Sequence, residues 1–307
     1  MDGAKEGCAM CGIVGLFLKD RALEPELGRL LTDMLVTMSD RGPDSAGIAV
    51  YSQDDAREGK ITIQSDTPGT AFDGLNRTVS DALEIDVGLS VNDTHAVLDV
   101  PASALQSTRD YLAKAHPHLR VMSTGQSVEI YKEVGLPGDV ANRFDVPAMT
   151  GTHGIGHTRM ATESAVTTDG AHPYNTGPDQ CLVHNGSLSN HNSLRRKLTR
   201  EGIRIESEND TEVGAAYLTW RMQQGATLGE ALEQGIEDLD GFYTFLVGTR
   251  DGFGVLRDPI ACKPAVLAET DRYVAFGSEY RALVGLPGIE DAKVWEPEPA
   301  TVYFWSH

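Results

Sequence analysis

Cysteine is scarce in this chain: four residues in 307, Cys8, Cys11, Cys181 and Cys262. So few thiols over such a length do not make a disulfide framework. Basic residues are also short, 26 against 45 acidic, leaving a formal net charge of −19. A field of that sign repels nucleic acid and anionic membranes, so neither is expected as a partner. No apolar run approaches the roughly 20 residues that a membrane-spanning helix needs. The opening "MDGAKEGCAM" is polar, and the apolar "IVGLFL" behind it is short, with no signal-peptide pattern. A cytoplasmic location is the expectation. There is no G-x-G-x-x-G after a strand and no P-loop, so nucleotide binding has no motif support. No repeat with a period of about 20–50 residues is visible.

What is present is a globular composition: 40% apolar, 7% aromatic and 23% charged. The length allows one large domain or two smaller ones. "CGIVGLFL" reads as a buried strand. Leu27, Leu30, Leu31, Met34, Leu35 and Met38 then fall on one helical face. "AGIAVYS" reads as a second strand. Residues 53 to about 148 change character, with short elements punctuated by Gly, Asp and Pro, and read as an embedded βαββ-like insertion. Strands resume at "GTHGIGHTRMAT" and "QCLVHNG". Helices follow near Asn190–Arg200 and from Asp210, and Thr227 with Glu230 forms a capping-box pattern before a third. From Gly241 onward the chain is mostly strands. Helices grouped between runs of strands predict layered α and β elements, an α+β fold rather than strict βαβ alternation.

Several residues carry chemistry. Cys8 and Cys11 form C-x-x-C, but a strand follows where a redox site wants a helix, and no second ligand pair completes a zinc site. Cys11 is then either a buried thiol or an N-terminal nucleophile. A free α-amine has a pKa near ~7.7–8.0 and can serve as the base for the thiol of its own residue. That requires Cys11 to be the first residue. Either translation starts at Met10 and that Met is trimmed, or residues 1–10 are a propeptide. His153 and His157 are four apart on a strand, roughly 13 Å, too far to share one ion. No metal and no cofactor is expected. Arg159 needs an acidic partner, from the protein or from a ligand. Asn185 and Gly186 at a strand end are either a turn or a pair of donors for a developing oxyanion. Asp210 is either a plain helix cap or a carboxylate for a ligand ammonium.

"CGIVG" at 11–15, "RGPDSAG" at 41–47, "HTRMAT" at 157–162, "HNG" at 184–186 and "NDTE" at 209–212 occur in that order. Together with "RDP" at 257–259 and "KP" at 263–264, this resembles the class II glutamine amidotransferase domain, an N-terminal-nucleophile hydrolase. The resemblance implies a four-layer αββα sandwich spanning 11–307, interrupted by the 53–148 insertion. It implies that Cys11 attacks L-glutamine, that Asn185 and Gly186 stabilise the oxyanion, and that Arg159 with Thr162 and Asp210 hold the two charged ends of the amino acid. Arg41 and Asp44 shape the loop beside Cys11. Two positions depart from the pattern: Met160 replaces an aromatic residue, and Glu163 replaces the His of sugar-phosphate amidotransferases. No acceptor domain follows, so a separate ammonia-accepting synthase subunit is expected. "CGIVGLFLKD" and "DRGPDSAGIAVY" are similar to the stand-alone subunit of glutamate-synthase-like enzymes such as N-methylglutamate synthase, whose flavin sits on another polypeptide. Two alternatives remain open: a γ-glutamyl amide hydrolase acting on a larger metabolite, and a non-catalytic glutamine-sensing subunit.

Overall fold

Alternation of apolar side chains along the strands builds the layers. In the first strand, Gly12–Leu18, Ile13 and Phe17 face one way and Val14, Leu16 and Leu18 the other. Successive side chains of a strand point to opposite faces, so a strand apolar on both faces must be covered on both. This is what the computed structural model shows for the residues it describes, 10–52, 57–160 and 166–307. Gly12–Leu18 lies in the middle of a seven-stranded sheet, between Tyr273–Gly277 and His153–Arg159. Ser45–Tyr51 and Val128–Val134 extend one side, Val266–Glu269 and Lys293–Trp295 the other. A second, five-stranded sheet runs Thr301–Ser306, Gly252–Arg257, Gly241–Thr249, Gln180–Leu188, Tyr174–Gly177. Neighbouring strands are antiparallel throughout both sheets.

The two sheets stack through Ile13, Phe17 and Ile155 on one side and Val183, Leu246 and Phe253 on the other. Beyond the first sheet, the helix Leu27–Val36 buries Leu30, Leu31, Met34 and Leu35 against Val14, Leu16 and Ile48. Beyond the second, the helices His191–Arg200, Asp210–Gln223 and Leu228–Asp238 cover Leu182, Phe245 and Leu256. The order is helix, sheet, sheet, helix: the αββα sandwich. Each fully buried Leu, Ile or Phe adds about 1.5–3 kcal/mol, so the three apolar interfaces hold the layers in register. The capping box at Thr227 and Glu230 forms as the sequence predicts.

The insertion is a unit of its own. Glu58–Gln64, Leu75–Leu83, Gly88–Asn92, His95–Pro101, Leu105–Ala115 and Arg120–Gly125 follow as βαββαβ. Counted in chain order, the four strands lie 2-3-1-4 across an antiparallel sheet, the split βαβ or ferredoxin-like arrangement. It has a separate core, with Ile61, Ile63, Val79, Leu98 and Leu112. The sequence reading of βαββ missed the strand Glu58–Gln64, the helix Leu75–Leu83 and the strand Gly88–Asn92, the last a short and largely exposed edge strand with little burial to pattern it. The self-contained part spans 58–125 and is narrower than 53–148. Val128–Val134 returns to the seven-stranded sheet beside Ser45–Tyr51, and Pro137–Arg143 packs into the first outer core.

The junction between insertion and body is tied by one buried carboxylate. Asp179 accepts the N–H groups of Gln126 (2.8 Å), Ser127 (2.8 Å) and Val128 (3.1 Å), and the Ser127 hydroxyl (3.0 Å). A Cβ on Gly125 would fall 2.1 Å from its Oδ1, so only glycine permits this approach.

Asp179→Ala strands these buried donors and is expected to cost roughly 2–4 kcal/mol, read as a lower denaturant midpoint at unchanged m-value. Acid sensitivity is also built in. Burial pushes the rings of His95, His153 and His157 each down to about 3. Above about pH 6.5 their contribution is fully present. Below it the unfolded chain takes up protons that the folded rings refuse, and stability falls by about 1.4 kcal/mol per pH unit for each ring, down to about pH 3. Melting curves at pH 7.5 and 5.5 should show a clear drop in Tm; equal values would refute this account.

Candidate active site

Cys11 immediately precedes the first strand, at one end of the seven-stranded sheet, and is partly exposed. Its carbonyl oxygen accepts two side-chain hydrogen bonds, from Arg41 Nε at 3.2 Å and from Asn185 Nδ2 at 3.2 Å. Arg41 comes from the loop after the helix Leu27–Val36. It is buried and ion-paired to Glu279, which also meets Arg281 at 2.7 Å. Arg281 in turn binds Asp40 at 2.6 Å. Asp44 ties the same loop to Arg159 through its backbone: its N–H donates to the Arg159 carbonyl at 3.1 Å.

Asn185 and Gly186 lie near the end of Gln180–Leu188 in the second sheet. Gly186 has φ +143°, and an added Cβ would fall 2.0 Å from the Phe242 carbonyl oxygen. Backbone of that shape, pressed against a neighbouring strand, requires glycine. Asp210 is the first residue of the helix Asp210–Gln223, whose cap is Asn209; the Asn209 side chain accepts the Thr211 N–H at 2.9 Å. The Asp210 carboxylate therefore does not cap its own helix. Its Oδ2 accepts the Leu188 N–H at 2.8 Å, and its Oδ1 lies 3.7 Å from His184 Nδ1.

Cys11, Arg159, Asn185, Gly186 and Asp210 line a single cavity of about 810 Å³. They come from both sheets and a helix terminus. Arg41 and Asp44 stand behind it. Thr162 and Glu163 lie outside the described residues, as does Cys8. Sequence reading did not single out Lys263 as a site residue, yet it lines the cavity, stacks over the Phe242 ring at 5.1 Å and reaches Met10 Sδ at 3.8 Å. Its signal was only the "KP" pair. His172 and His184 also reach the wall. The Thr211 hydroxyl lies between them, 3.2 Å from His172 Nε2 and 3.0 Å from His184 Nδ1. His157 stacks on His172 with ring centroids 4.0 Å apart and donates from Nε2 to the His184 carbonyl at 3.1 Å. His153 instead stacks on Tyr51 and bonds Thr249. The two histidines of "HGIGH" thus serve different parts of the core.

The electrostatics of the site follow from burial. Burial pushes the Cys11 thiol above its ordinary value, while a hydrogen bond with the Met160 backbone and the charges of Arg159 and Lys263 act in the opposite direction. Burial also holds His172 and His184 below the usual range, with the Asp210 carboxylate opposing this at His184. These rings stay neutral near pH 7, so among the described residues the charges lining the cavity are those of Arg159, Asp169, Glu208, Asp210 and Lys263.

The glutamine amidotransferase domain family matches residues 157–285. Glutamine amidotransferase-like protein GlxB of Rhizobium meliloti is 65% identical over 298 residues, covering 97% of this chain and 99% of that protein. A putative glutamine amidotransferase of Methanothermobacter thermautotrophicus is 33% identical, covering 96% of this chain and 99% of its own length. Among solved structures, glutamine phosphoribosylpyrophosphate amidotransferase from B. subtilis superposes with a TM-score of 0.61 at 18% identity, over 96% of this chain and 47% of that one. That likeness bears on the fold, and this chain spans about half the length of that structure. With near-complete coverage of two homologues and the sandwich fold in place, the chain belongs to the class II glutamine amidotransferases.

Proposed function

We propose that the protein hydrolyses L-glutamine through a Cys11 thioester and passes the ammonia to a separate synthase subunit. The observation that carries this is the convergence of Cys11, Arg159, Asn185, Gly186 and Asp210 on one cavity. A free amino acid carries a carboxylate and an ammonium. Arg159 answers the first with a planar fork and Asp210 the second, with Thr162 assigned to the carboxylate side. Cys11 Sγ attacks the side-chain amide carbon, and its thiol proton passes to the α-amine of the same residue. Asn185 Nδ2 carries two hydrogens: one is engaged by the Cys11 carbonyl, and the other is free for the oxyanion beside the Gly186 N–H. When the intermediate collapses, the C–N bond breaks and the α-ammonium returns its proton to the leaving nitrogen, which departs as ammonia. Water then cleaves the thioester and releases glutamate.

The base in this scheme is an α-amine. With Met10 attached, the Cys11 nitrogen is an amide with no basic lone pair, so activity requires a chain that begins at Cys11. Mass measurement of the active protein should show loss of everything before Cys11, and an electrophilic glutamine analogue should add once, at that residue. Cys11→Ala should abolish labelling. Active protein still carrying its first ten residues would overturn the reading.

Lys263 sets the pH at which this base works. A second cation nearby disfavours a protonated α-ammonium and favours a thiolate. Lys263→Met should therefore move the acid limb of kcat/KM to higher pH by roughly 0.5–1 unit, and Lys263→Arg should restore it. An unmoved limb would remove Lys263 from the mechanism.

The acceptor we propose is a flavin-containing, glutamate-synthase-like subunit, as in N-methylglutamate synthase, supported by the similarity of the 11–20 and 40–51 segments. A cavity of about 810 Å³ also has room for more than glutamine, which favours γ-glutamyl amide hydrolysis as the second reading. Comparing turnover of glutamine with N-substituted γ-glutamyl amides separates the two, and the absence of any released glutamate would favour a sensing subunit.

A further inference from the structure

A second cavity, of about 200 Å³, lies where the insertion meets the body. It shares Asp169, Tyr174 and Ser207 with the cavity of Cys11, so the two are separated by common walls. Its lining is rich in cations for a protein of net charge −19. Arg109 comes from the insertion helix Leu105–Ala115, Arg120 from the neighbouring insertion strand, Lys132 from the seven-stranded sheet and Arg204 from the loop before Asp210.

Most of these charges are satisfied. Arg120 binds Asp66 at 3.0 Å and Asp169 at 3.1 Å. Arg204 binds Glu206 at 2.6 Å. Lys132 donates to the carbonyls of Ala171 at 2.8 Å and Pro173 at 3.3 Å. Glu212 accepts the backbone N–H of Glu206 at 2.7 Å and of Ser207 at 2.6 Å. Arg109 is the exception. It is half-buried, and among the described residues it makes no hydrogen bond or close ion pair, only longer-range attractions to Glu206, Asp110 and Glu212. Its fork, left without a protein partner at the cavity wall, is shaped for a carboxylate. Asp66, Asp169, Glu206 and Glu212 balance the four cations in number, so what suits a small anion here is the open fork of Arg109 and not a surplus of charge. The volume is below the ~300–1,000 Å³ of drug-sized sites, which restricts the ligand to a few heavy atoms.

We propose that this cavity binds a small carboxylate-bearing metabolite, gripped by Arg109 and lying wall to wall with the cavity of Cys11. It gives the insertion a ligand of its own, independent of whether Cys11 acts on glutamine. The loop 204–209 lines both cavities, so a carboxylate bound there bears directly on the wall that holds Ser207 and Asn209.

The test is calorimetric titration of the full chain with acetate, and separately with inorganic phosphate, at ionic strength matched with chloride. Saturable acetate binding is expected in the wild type and in Arg159→Gln, which removes the guanidinium of the neighbouring cavity. Arg109→Gln should weaken it by about tenfold or more, and Arg109→Lys by less, since charge remains without the fork. Because Arg109 makes no hydrogen bond or close ion pair among the described residues, Arg109→Gln should keep the wild-type Tm, so lost binding is not lost structure. Undiminished binding in Arg109→Gln, loss in Arg159→Gln, or no saturable acetate binding would each overturn the proposal. Tighter binding of phosphate than of acetate would overturn the carboxylate assignment. None of these readouts depends on glutamine turnover.

Discussion

One hydrogen bond across the sandwich fixes the site: Asn185 Nδ2, on the second sheet, donates to the carbonyl oxygen of Cys11, at the start of a central strand of the first. Stacked sheets sit about 10 Å apart, so side chains from facing strands meet only where the sheets are held in one relative position. The interdigitated layer of Ile13, Phe17, Val183, Leu246 and Phe253 supplies that position. The two outer helix layers pin each sheet from behind. Arg41 repeats the constraint from the other side, binding the same carbonyl while Glu279 holds its guanidinium. A shift of one sheet against the other would part Cys11 from Asn185 and Gly186 together.

The charge distribution serves the same end. An acidic chain keeps two cations, Arg159 and Lys263, beside the Cys11 thiol. They offset part of the burial that holds the Cys11 thiol above its ordinary value. The neighbouring histidines are buried deeply enough to stay neutral and act as packed hydrogen-bonding groups. Asp210 is positioned by the Leu188 N–H rather than by a cation. That leaves its negative charge available to a ligand ammonium, which a salt-bridged carboxylate could not offer to the same degree.

Much of the sandwich was legible because its strands and helices are strongly patterned. Gly12–Leu18 and the face of Leu27, Leu30, Leu31, Met34 and Leu35 read correctly from spacing alone, as did the Thr227–Glu230 capping box. The insertion was less legible. Gly88–Asn92 is an exposed edge with little hydrophobic contrast, and Val128–Val134 carries a strand pattern that does not say which sheet it joins. Sheet membership is a choice among partners, and local periodicity cannot make it. Asp210 was legible as a helix-start carboxylate, but Asn209 takes the cap, a one-residue distinction that only the backbone path decides.

By itself the sequence determined that α and β elements are layered, the helix faces and the set of residue types that could serve a thiol-based amide hydrolysis, while the αββα layer order came with the family resemblance. Its ordered short motifs also pointed to the family before any geometry was known. Only the tertiary structure decided that Cys11, Arg159, Asn185, Gly186 and Asp210 share one cavity, that Lys263 joins them, and that Arg109 faces a second cavity beside it. The physical reason is range: periodicity and capping act over a few neighbouring residues. A site built from both sheets, a helix terminus and a distal loop is set by packing between segments far apart in the chain.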